Sequence, residues 1–175
     1  QTLRAAETAS QDAPLQGMAL MAAFYLNELI LNFIRRGDPH PGLFLAYAEA
    51  LAELRLGPDP EPALRRFELR LLAEAGYGLN LDHDVLNDVA LDPHGSYEYR
   101  IEHGPVPVEA GQGELVLSGL TLLAISRGEL TDPGVLQSAK RLLRGVLAHY
   151  LDGRTLRTRQ VLASMRRAPA VSQLS

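Results

Sequence analysis

The sequence predicts a mainly α-helical fold: a compact bundle of about six helices with a small loop or β-hairpin insertion at about residues 79–116. Apolar residues recur at three- and four-residue spacing over most of the chain, which is the period of a helix with one buried face. Glycine and proline separate these stretches. The insertion lacks the helical period and contains short alternating runs, which are typical of strands.

Length and composition fit one domain with a substantial core, since the chain has 175 residues and 46% of them are hydrophobic. Residues 18–34 form the longest apolar stretch, but Asn27, Glu28 and Asn32 interrupt it. These polar side chains favour a buried helix over a membrane span. The absence of cysteine excludes disulfides, thiolate zinc sites and a cysteine nucleophile.

The first two helices are predicted at residues 14–36 and 41–56, with Gly37 and the prolines that follow it between them. Apolar side chains lie almost all round the first helix, so we expect it to be central. They include Leu20, Phe24 and Leu31. On the second helix one face carries the large apolar residues, which are Phe44, Tyr47, Leu51 and Leu54.

Turn residues also delimit the later helices. The third is predicted to have Asp59 as its N-cap and Pro60 at its first position, and to end at Gly76. Helical periodicity returns at about residues 117–126. Asp132 and Pro133 are a further cap-and-proline start, which predicts a helix to about Tyr150. A last helix is predicted at about residues 155–167, followed by a disordered tail at 168–175.

Charge is distributed unevenly. Between Lys140 and Arg167 there are eight basic residues and one acidic residue, Asp152, although the whole chain has a net charge of −4. This contrast predicts a basic surface for an anionic partner such as nucleic acid or an acidic peptide. Lys140, Arg141 and Arg144 lie on one predicted helix, and Arg154, Arg157 and Arg159 follow in the connection and the next helix.

Arg65 and Arg66 lie in the first half of the third helix, beside Leu64 and Phe67. One interpretation is a solvated face with acidic partners one turn away. The other is a guanidinium next to an apolar groove, which holds a carboxylate while the groove receives an aromatic side chain. The sequence leaves both interpretations open.

No catalytic or metal site is predicted. The acidic and histidine residues of the insertion match no metal-ligand spacing, so we interpret them as solvated loop residues. They are Asp82, His83, Asp84, Asp88, Asp92, His94 and His103. A phosphate-binding glycine loop and a serine nucleophile motif are both lacking. We therefore predict that the chain is not an enzyme and needs no cofactor.

Three segments in this order resemble one family. They are Tyr25-Leu-Asn-Glu-Leu, then Pro62-Ala-Leu-Arg-Arg-Phe-Glu-Leu-Arg-Leu-Leu with Gly76-Tyr-Gly-Leu, and then Lys140-Arg-Leu-Leu-Arg through Tyr150-Leu with Leu156-Arg-Thr-Arg. Together they look like the C-terminal helical region of the recombination mediator family RecO, over about residues 2–165. The resemblance implies that residues 1–13 are a linker remnant from an N-terminal OB-fold that this chain lacks, and that 14–167 form the helical domain.

The resemblance also implies a function. RecO-like proteins bind single-stranded DNA, anneal complementary strands, associate with RecR, engage the acidic C-terminal tail of single-strand-binding protein and help RecA to load. It implies Arg65 first and Arg66 second as contacts of that tail, and it assigns DNA or tail binding to Lys140, Arg141, Arg144, Arg157 and Arg159. It also implies a bacterial cytoplasmic, nucleoid-associated location with no membrane partner. Some members hold zinc with cysteines in the insertion; Asp84 stands where a cysteine is expected, so we predict that zinc is absent.

Two alternatives stay open. The domain could be a helical regulatory module that binds a small phosphorylated ligand, in which case a mononucleotide would bind saturably. It could also be purely structural and dock onto the missing barrel. Affinity that increases with polymer length and falls steeply with salt would favour nucleic acid instead.

Overall fold

A computed structural model describes residues 14–161, apart from 36, 38, 109–112 and 159. In this part the helices are α1 (Gly17–Phe33), α2 (Pro41–Leu56), α3 (Glu61–Glu74), α4 (Gly119–Ser126) and α5 (Pro133–Tyr150). The strands, all between α3 and α4, are β1 (His83–Asp84), β2 (Val89–Ala90), β3 (Ser96–Arg100), β4 (Gly104–Pro107) and β5 (Val116–Ser118). The predicted mainly helical fold with a small β insertion is confirmed.

The ends of the chain are only partly described. The predicted linker remnant at 1–13 and the predicted tail at 168–175 lie outside the described residues, as does most of the sixth predicted helix. Residues 157, 158, 160 and 161 are helical, which agrees with the predicted start of that last helix. None of the helices in the described ranges is long and apolar enough to cross a membrane.

Local capping explains where the later helices begin. Asp132 Oδ1 accepts a hydrogen bond from the Val135 amide at 2.9 Å, as predicted for the start of α5. Ser118 caps α4 by accepting from the Thr121 amide at 3.2 Å. For α3 the predicted cap is wrong by one position. Pro60 occupies the N-cap, while Asp59 Oδ1 accepts from the Glu61 amide at 3.0 Å.

The core is built around α3, which packs against α1, α2 and α5. Its fully buried side chains include Phe67, Leu71 and Leu72. They pack with buried leucines of the neighbouring helices, and these are Leu26, Leu29, Leu142, Leu143 and Leu147. The helix that lies at the centre is therefore α3, and not α1 as the sequence predicted.

The predicted buried faces of α1 and α2 were partly wrong. Leu20, Phe24 and Leu31 of α1 are exposed, and Phe44 of α2 is 76% exposed. The inner face of α2 is instead formed by Leu43, Ala46, Ala50 and Leu54. Small alanines let the helices approach closely, so the largest apolar residues of α2 do not mark its buried side.

The insertion contains more strands than the one or two that were predicted. The β1–β2 pair is an antiparallel hairpin, and the second sheet is antiparallel with the strand order β4-β3-β5. Tyr97 and Tyr99 of β3 are buried against the helical core. Pro105 and Pro107 within β4 hid its strand character, because proline is typical of edge strands and not of strand interiors.

Glu28 of α1 connects the first helix to the segment after α5. Its carboxylate accepts hydrogen bonds from the backbone amides of Arg157 and Thr158 at 2.9 and 3.0 Å, and from the Thr158 hydroxyl. A carboxylate in this position acts as an N-terminal cap supplied from another helix. The two distant parts of the chain are thereby held together.

Candidate functional site

Arg65, the first residue predicted to contact an acidic tail, lies inside the domain. It is 6% exposed, and its Nη2 is 2.8 Å from Oε1 of Glu68, which is fully buried. The Tyr25 hydroxyl donates to the same oxygen at 2.6 Å. Burial opposes the charge of Arg65, but Glu68, Tyr25 and Glu61 outweigh it and raise the pKa of the guanidinium. The position is thus structural in this conformation, and a partner does not reach it from solvent.

Arg66 lies on the outer side of the same helix. Its side chain is 36% exposed, and it pairs with Glu53, an exposed residue of α2. Arg66 Nε also donates to the Gly128 carbonyl oxygen at 3.3 Å, so the guanidinium lies near the end of α4. The sequence placed Arg65 and Arg66 on one site, whereas the helix turns them to opposite environments.

Arg70 was missed by the sequence analysis. It lies one turn beyond Arg66, on the same side of α3, and is exposed. Beside it is a hollow of about 320 Å³, called here the Arg70 hollow. The hollow is lined by Leu69, Arg70, Ala73, Gly78, Leu79, Leu81, Asp82 and Ser126. The sequence signal that points to Arg70 is its four-residue spacing from Arg66, which places both arginines on one side of a helix.

The basic residues of α5 divide into two groups. Lys140 Nζ lies 3.1 Å from Glu61 Oε1, and Arg141 Nη2 donates to the Glu114 carbonyl oxygen at 2.6 Å. Both side chains therefore hold α5 against neighbouring segments. Arg144 is exposed and makes no ion pair or hydrogen bond with another residue of the described part.

Beyond α5 the predicted surface is described only in part. Arg154 and Arg157 are exposed, and the Arg157 backbone amide donates to Glu28. Arg159 lies outside the described residues. Within the described residues, the exposed arginines of this stretch are Arg141, Arg144, Arg154 and Arg157.

The acidic and histidine residues of the insertion have local structural roles. Asp84 is buried and accepts from the Leu86 amide at 2.8 Å and from Asn87 Nδ2 at 2.7 Å. Burial acts to raise the pKa of Asp84, but these hydrogen bonds outweigh it, so the pKa is lowered. Across the described ranges, no three histidine or acidic residues lie close enough to hold one metal ion. The predicted absence of the family zinc stays a prediction.

A second cleft, also missed, lies between the end of α3, the insertion and the end of α5. It measures about 400 Å³ and is called here the tyrosine cleft. It is lined by Gly76, Tyr77, Gly78, Leu79, Asn80, Tyr99, Glu102, His103 and Tyr150. The rings of Tyr77 and Tyr150 stack with centroids 4.2 Å apart. No sequence pattern brings these residues together, because they come from three separate segments.

Comparison with known proteins identifies the family. The family model described as "Recombination protein O C terminal" matches residues 15–160. The protein named DNA repair protein RecO of Azoarcus sp. (strain BH72) is 45% identical over 168 residues, which are 94% of this chain and 69% of that protein.

Other relatives with the same name give the same result. The match to the protein from Nitrosospira multiformis is 45% identical and covers 92% of this chain and 67% of the relative. That from Aliivibrio fischeri (strain MJ11) is 41% identical and covers 91% and 67%. The family description denotes recombination, and the names of these relatives denote DNA repair. The chain belongs to the RecO family of DNA repair proteins.

Proposed function

We propose that this RecO-family domain binds the acidic C-terminal tail of single-strand-binding protein along Arg66 and Arg70, with the terminal phenylalanine of the tail in the Arg70 hollow. The observation that carries the proposal is that exposed Arg70 lines a largely apolar hollow, while half-buried Arg66 lies one turn before it on the same side of α3. A guanidinium matches the geometry of a carboxylate. An apolar hollow of about 320 Å³ offers room for one aromatic ring.

The present partner of Arg66 is no obstacle to this binding. The Arg66–Glu53 pair is exposed on both sides, and such pairs contribute only about 0–1 kcal/mol. Replacing Glu53 by a carboxylate of the tail therefore costs the domain little stability. The lining of the hollow supports the aromatic end: Leu69, Leu79 and Leu81 are apolar, and Asp82 is its only acidic lining residue.

Arg65 contributes by position. It pairs with buried Glu68, which also accepts from the Tyr25 hydroxyl of α1, and this network holds the inner side of α3 while Arg66 and Arg70 lie on its outer side. We thus revise the assignment from the resemblance: Arg66 remains a tail contact, Arg70 joins it, and Arg65 supports the helix that carries them.

Peptide binding tests the proposal. A labelled peptide that copies the acidic, phenylalanine-ended tail is titrated with this domain by fluorescence anisotropy at low and moderate salt. Arg66→Ala and Arg70→Ala should each weaken binding about tenfold, since a charge-assisted hydrogen bond contributes about 1.5–3 kcal/mol. Arg35→Ala is the matched control, because Arg35 is exposed and lines neither described hollow. Unchanged affinity in both α3 variants would show that the tail does not bind to this surface.

We also propose that the end of α5 and the segment after it contact single-stranded DNA. Arg144, Arg154 and Arg157 supply exposed positive charge there, and Lys140 and Arg141 hold α5 in place through Glu61 and Glu114. Arginine contacts to phosphate release counterions, so affinity should fall with salt. Annealing of complementary strands, association with RecR and support of RecA loading are further activities that the family resemblance implies, and they belong to this proposal.

An oligonucleotide titration tests the DNA contact. Binding of labelled oligo(dT) is measured at several salt concentrations, and Arg144→Ala should lower the slope of log affinity against log salt by about one. The same titration with a mononucleotide examines the small-ligand alternative. Saturable mononucleotide binding without length dependence would replace the DNA assignment, and binding of neither ligand would favour a structural docking role.

A further inference from the structure

We propose that the tyrosine cleft binds the side chain of an arginine from a partner protein. The cleft is separate from the Arg70 hollow, and its chemistry is opposite: it gathers three phenol rings and one carboxylate instead of arginines. The proposal goes beyond acidic-tail and DNA binding, because it assigns a second surface with a partner of the other charge.

The aromatic walls of the cleft are fixed in place. Tyr77 stacks on Tyr150 with an angle of 25° between the rings, and Phe33 packs edge-on against Tyr77 at a centroid distance of 6.3 Å. Tyr77 nevertheless stays 40% exposed. An exposed tyrosine face that is already immobilised attracts a cation with little loss of side-chain entropy.

Tyr99 supplies an unused polar group. The residue is 6% exposed, yet it lines the cleft, and its hydroxyl makes no hydrogen bond with another residue of the described part. Burial, together with the nearby Tyr150, raises the pKa of Tyr99, so the phenol stays neutral. Its oxygen is available to accept a hydrogen bond from a ligand N–H, which an aliphatic occupant could not donate.

The electrostatics of the cleft favour a cation. Glu102 lines it with a carboxylate whose side chain is 57% exposed, and the partner of that carboxylate is His149 Nε2 at 3.0 Å. Tyr150 lines the cleft and is the last residue of α5, so the partially negative end of that helix lies at the cleft. No lysine or arginine is among the lining residues, which disfavours a phosphate-bearing ligand.

Guanidinium fits these features better than ammonium. It is planar, stacks on aromatic rings, is weakly hydrated and carries five N–H donors, whereas ammonium is a compact and strongly hydrated charge. Its donors are numerous enough for both Glu102 and the Tyr99 hydroxyl, and its plane suits the ring of Tyr77, all of which line the same cleft. A nucleobase could also stack on the rings and donate an amino N–H to the carboxylate, but it carries no positive charge and so gains less from Glu102 and from the helix end.

Nuclear magnetic resonance of the domain labelled with ¹³C at its tyrosine rings tests the proposal. The probe is the capped tripeptide Gly-Arg-Gly, compared with the same peptide carrying citrulline, which has the same shape without the charge. We expect saturable shifts of Tyr77, Tyr99 and Tyr150, and none of Tyr47, whose hydroxyl donates to Asn27 at 2.7 Å between α1 and α2. The citrulline peptide should bind about tenfold more weakly.

Variants sharpen the result. Tyr99→Phe should lower the affinity for the arginine peptide roughly fivefold, as expected for one lost hydrogen bond. Glu102→Gln should lower it roughly two- to fivefold. Tyr47→Phe should leave the affinity unchanged. Circular dichroism melts of each variant show that it is folded, and the acidic-tail peptide should bind all of them normally.

Several outcomes would overturn the assignment. Equal affinity for the arginine and citrulline peptides would show that charge does not determine binding. Tyrosine shifts produced by deoxyadenosine alone would show that the cleft is a nucleobase site. If free L-arginine bound as tightly as the peptide, the ligand of the cleft would be the amino acid and not a partner protein. Absence of any tyrosine shift at tens of millimolar peptide would show that the cleft takes no guanidinium at all.

Discussion

Two neighbouring arginines with the same chemistry occupy opposite environments in this domain. Arg65 is buried with Glu68, while Arg66 faces solvent beside Glu53. Successive residues of a helix are about 100° apart, so one lies on the core side and the next near the boundary. The repeated residue type in the sequence therefore conceals two environments, one buried and one at the surface.

Replacing Arg65 by alanine should destabilise the domain by about 3–5 kcal/mol, because Glu68 would keep a buried charge without its partner. Urea unfolding followed by circular dichroism measures the loss. Arg66→Ala is the matched control and should change the free energy of unfolding by less than about 1 kcal/mol. Equal effects of the two substitutions would contradict the separation of their roles.

At the scale of the helices, the sequence predicted where the helices begin and end better than it predicted which of their faces pack in the core. Proline, glycine and capping residues determined where helices start and stop, so α2 was predicted with its observed bounds and α5 within one residue. The inner face of α2 was not predictable from residue size, because Ala46 and Ala50 face inward while Phe44 faces out. Which face is buried depends on neighbouring helices that a local pattern does not contain.

The candidate sites show the same limit. Arg66 and the basic residues of α5 were predicted as candidates, because charge patterning is local in sequence. The burial of Arg65 was not, since it depends on Glu68 and Tyr25, and Tyr25 lies on another helix. The tyrosine cleft depends on Tyr77, Tyr99 and Tyr150, which are distant in the chain, so sequence spacing carried no signal for it.

The junction between the insertion and α4 depends on a glycine. A Cβ atom at Gly119 would lie 2.0 Å from the Asp92 carbonyl oxygen, which belongs to the backbone and has little freedom to move. Gly119→Ala should therefore destabilise the domain by about 1–3 kcal/mol or more. A lower midpoint in thermal unfolding measured by circular dichroism would show it.

The same substitution elsewhere is the control. Gly145 lies inside α5, and a Cβ atom there would meet nothing closer than Ile101 at 3.9 Å. Gly145→Ala should raise stability by about 0.5–1 kcal/mol, because alanine favours the helix interior. If both variants shifted the midpoint in the same direction, the close approach at Gly119 would not be what limits that position.

On the scale of the whole molecule, the helical core is closed by a contact between distant parts of the chain. Glu28 is partly buried, which alone would raise the pKa of its carboxyl. Hydrogen bonds from Thr158 and Arg157 outweigh that effect, so the pKa of Glu28 is lowered in the folded state. The carboxylate form is thus the one that holds the segment after α5.

This contact predicts an acid-dependent loss of stability. Because the folded pKa lies below the ordinary value of 4.5, the stabilisation is fully present above that pH and is lost as the pH falls through the folded pKa. Glu28→Gln should lower the free energy of unfolding by about 1 kcal/mol at pH 7, as for a lost helix cap. Urea unfolding from pH 7 to pH 3 measures the effect.

Wild type and Glu28→Gln should converge in stability toward pH 3, since protonation of Glu28 removes the same interaction in the wild type. Asp84, whose pKa is also lowered, keeps some acid sensitivity in both proteins. A constant difference between the two proteins across this range would show that the carboxylate charge is not what joins α1 to the later segment.

The buried pair on α3 also limits how this chain can change over generations. Removal of either partner leaves an uncompensated charge in the core, whereas apolar replacement of both can restore an ordinary interior. A lineage that gives up the pair must therefore pass through a poorly folded ancestor or alter both positions together. Descendants that diverge widely on their surfaces should consequently keep Arg65 with Glu68, or carry neither.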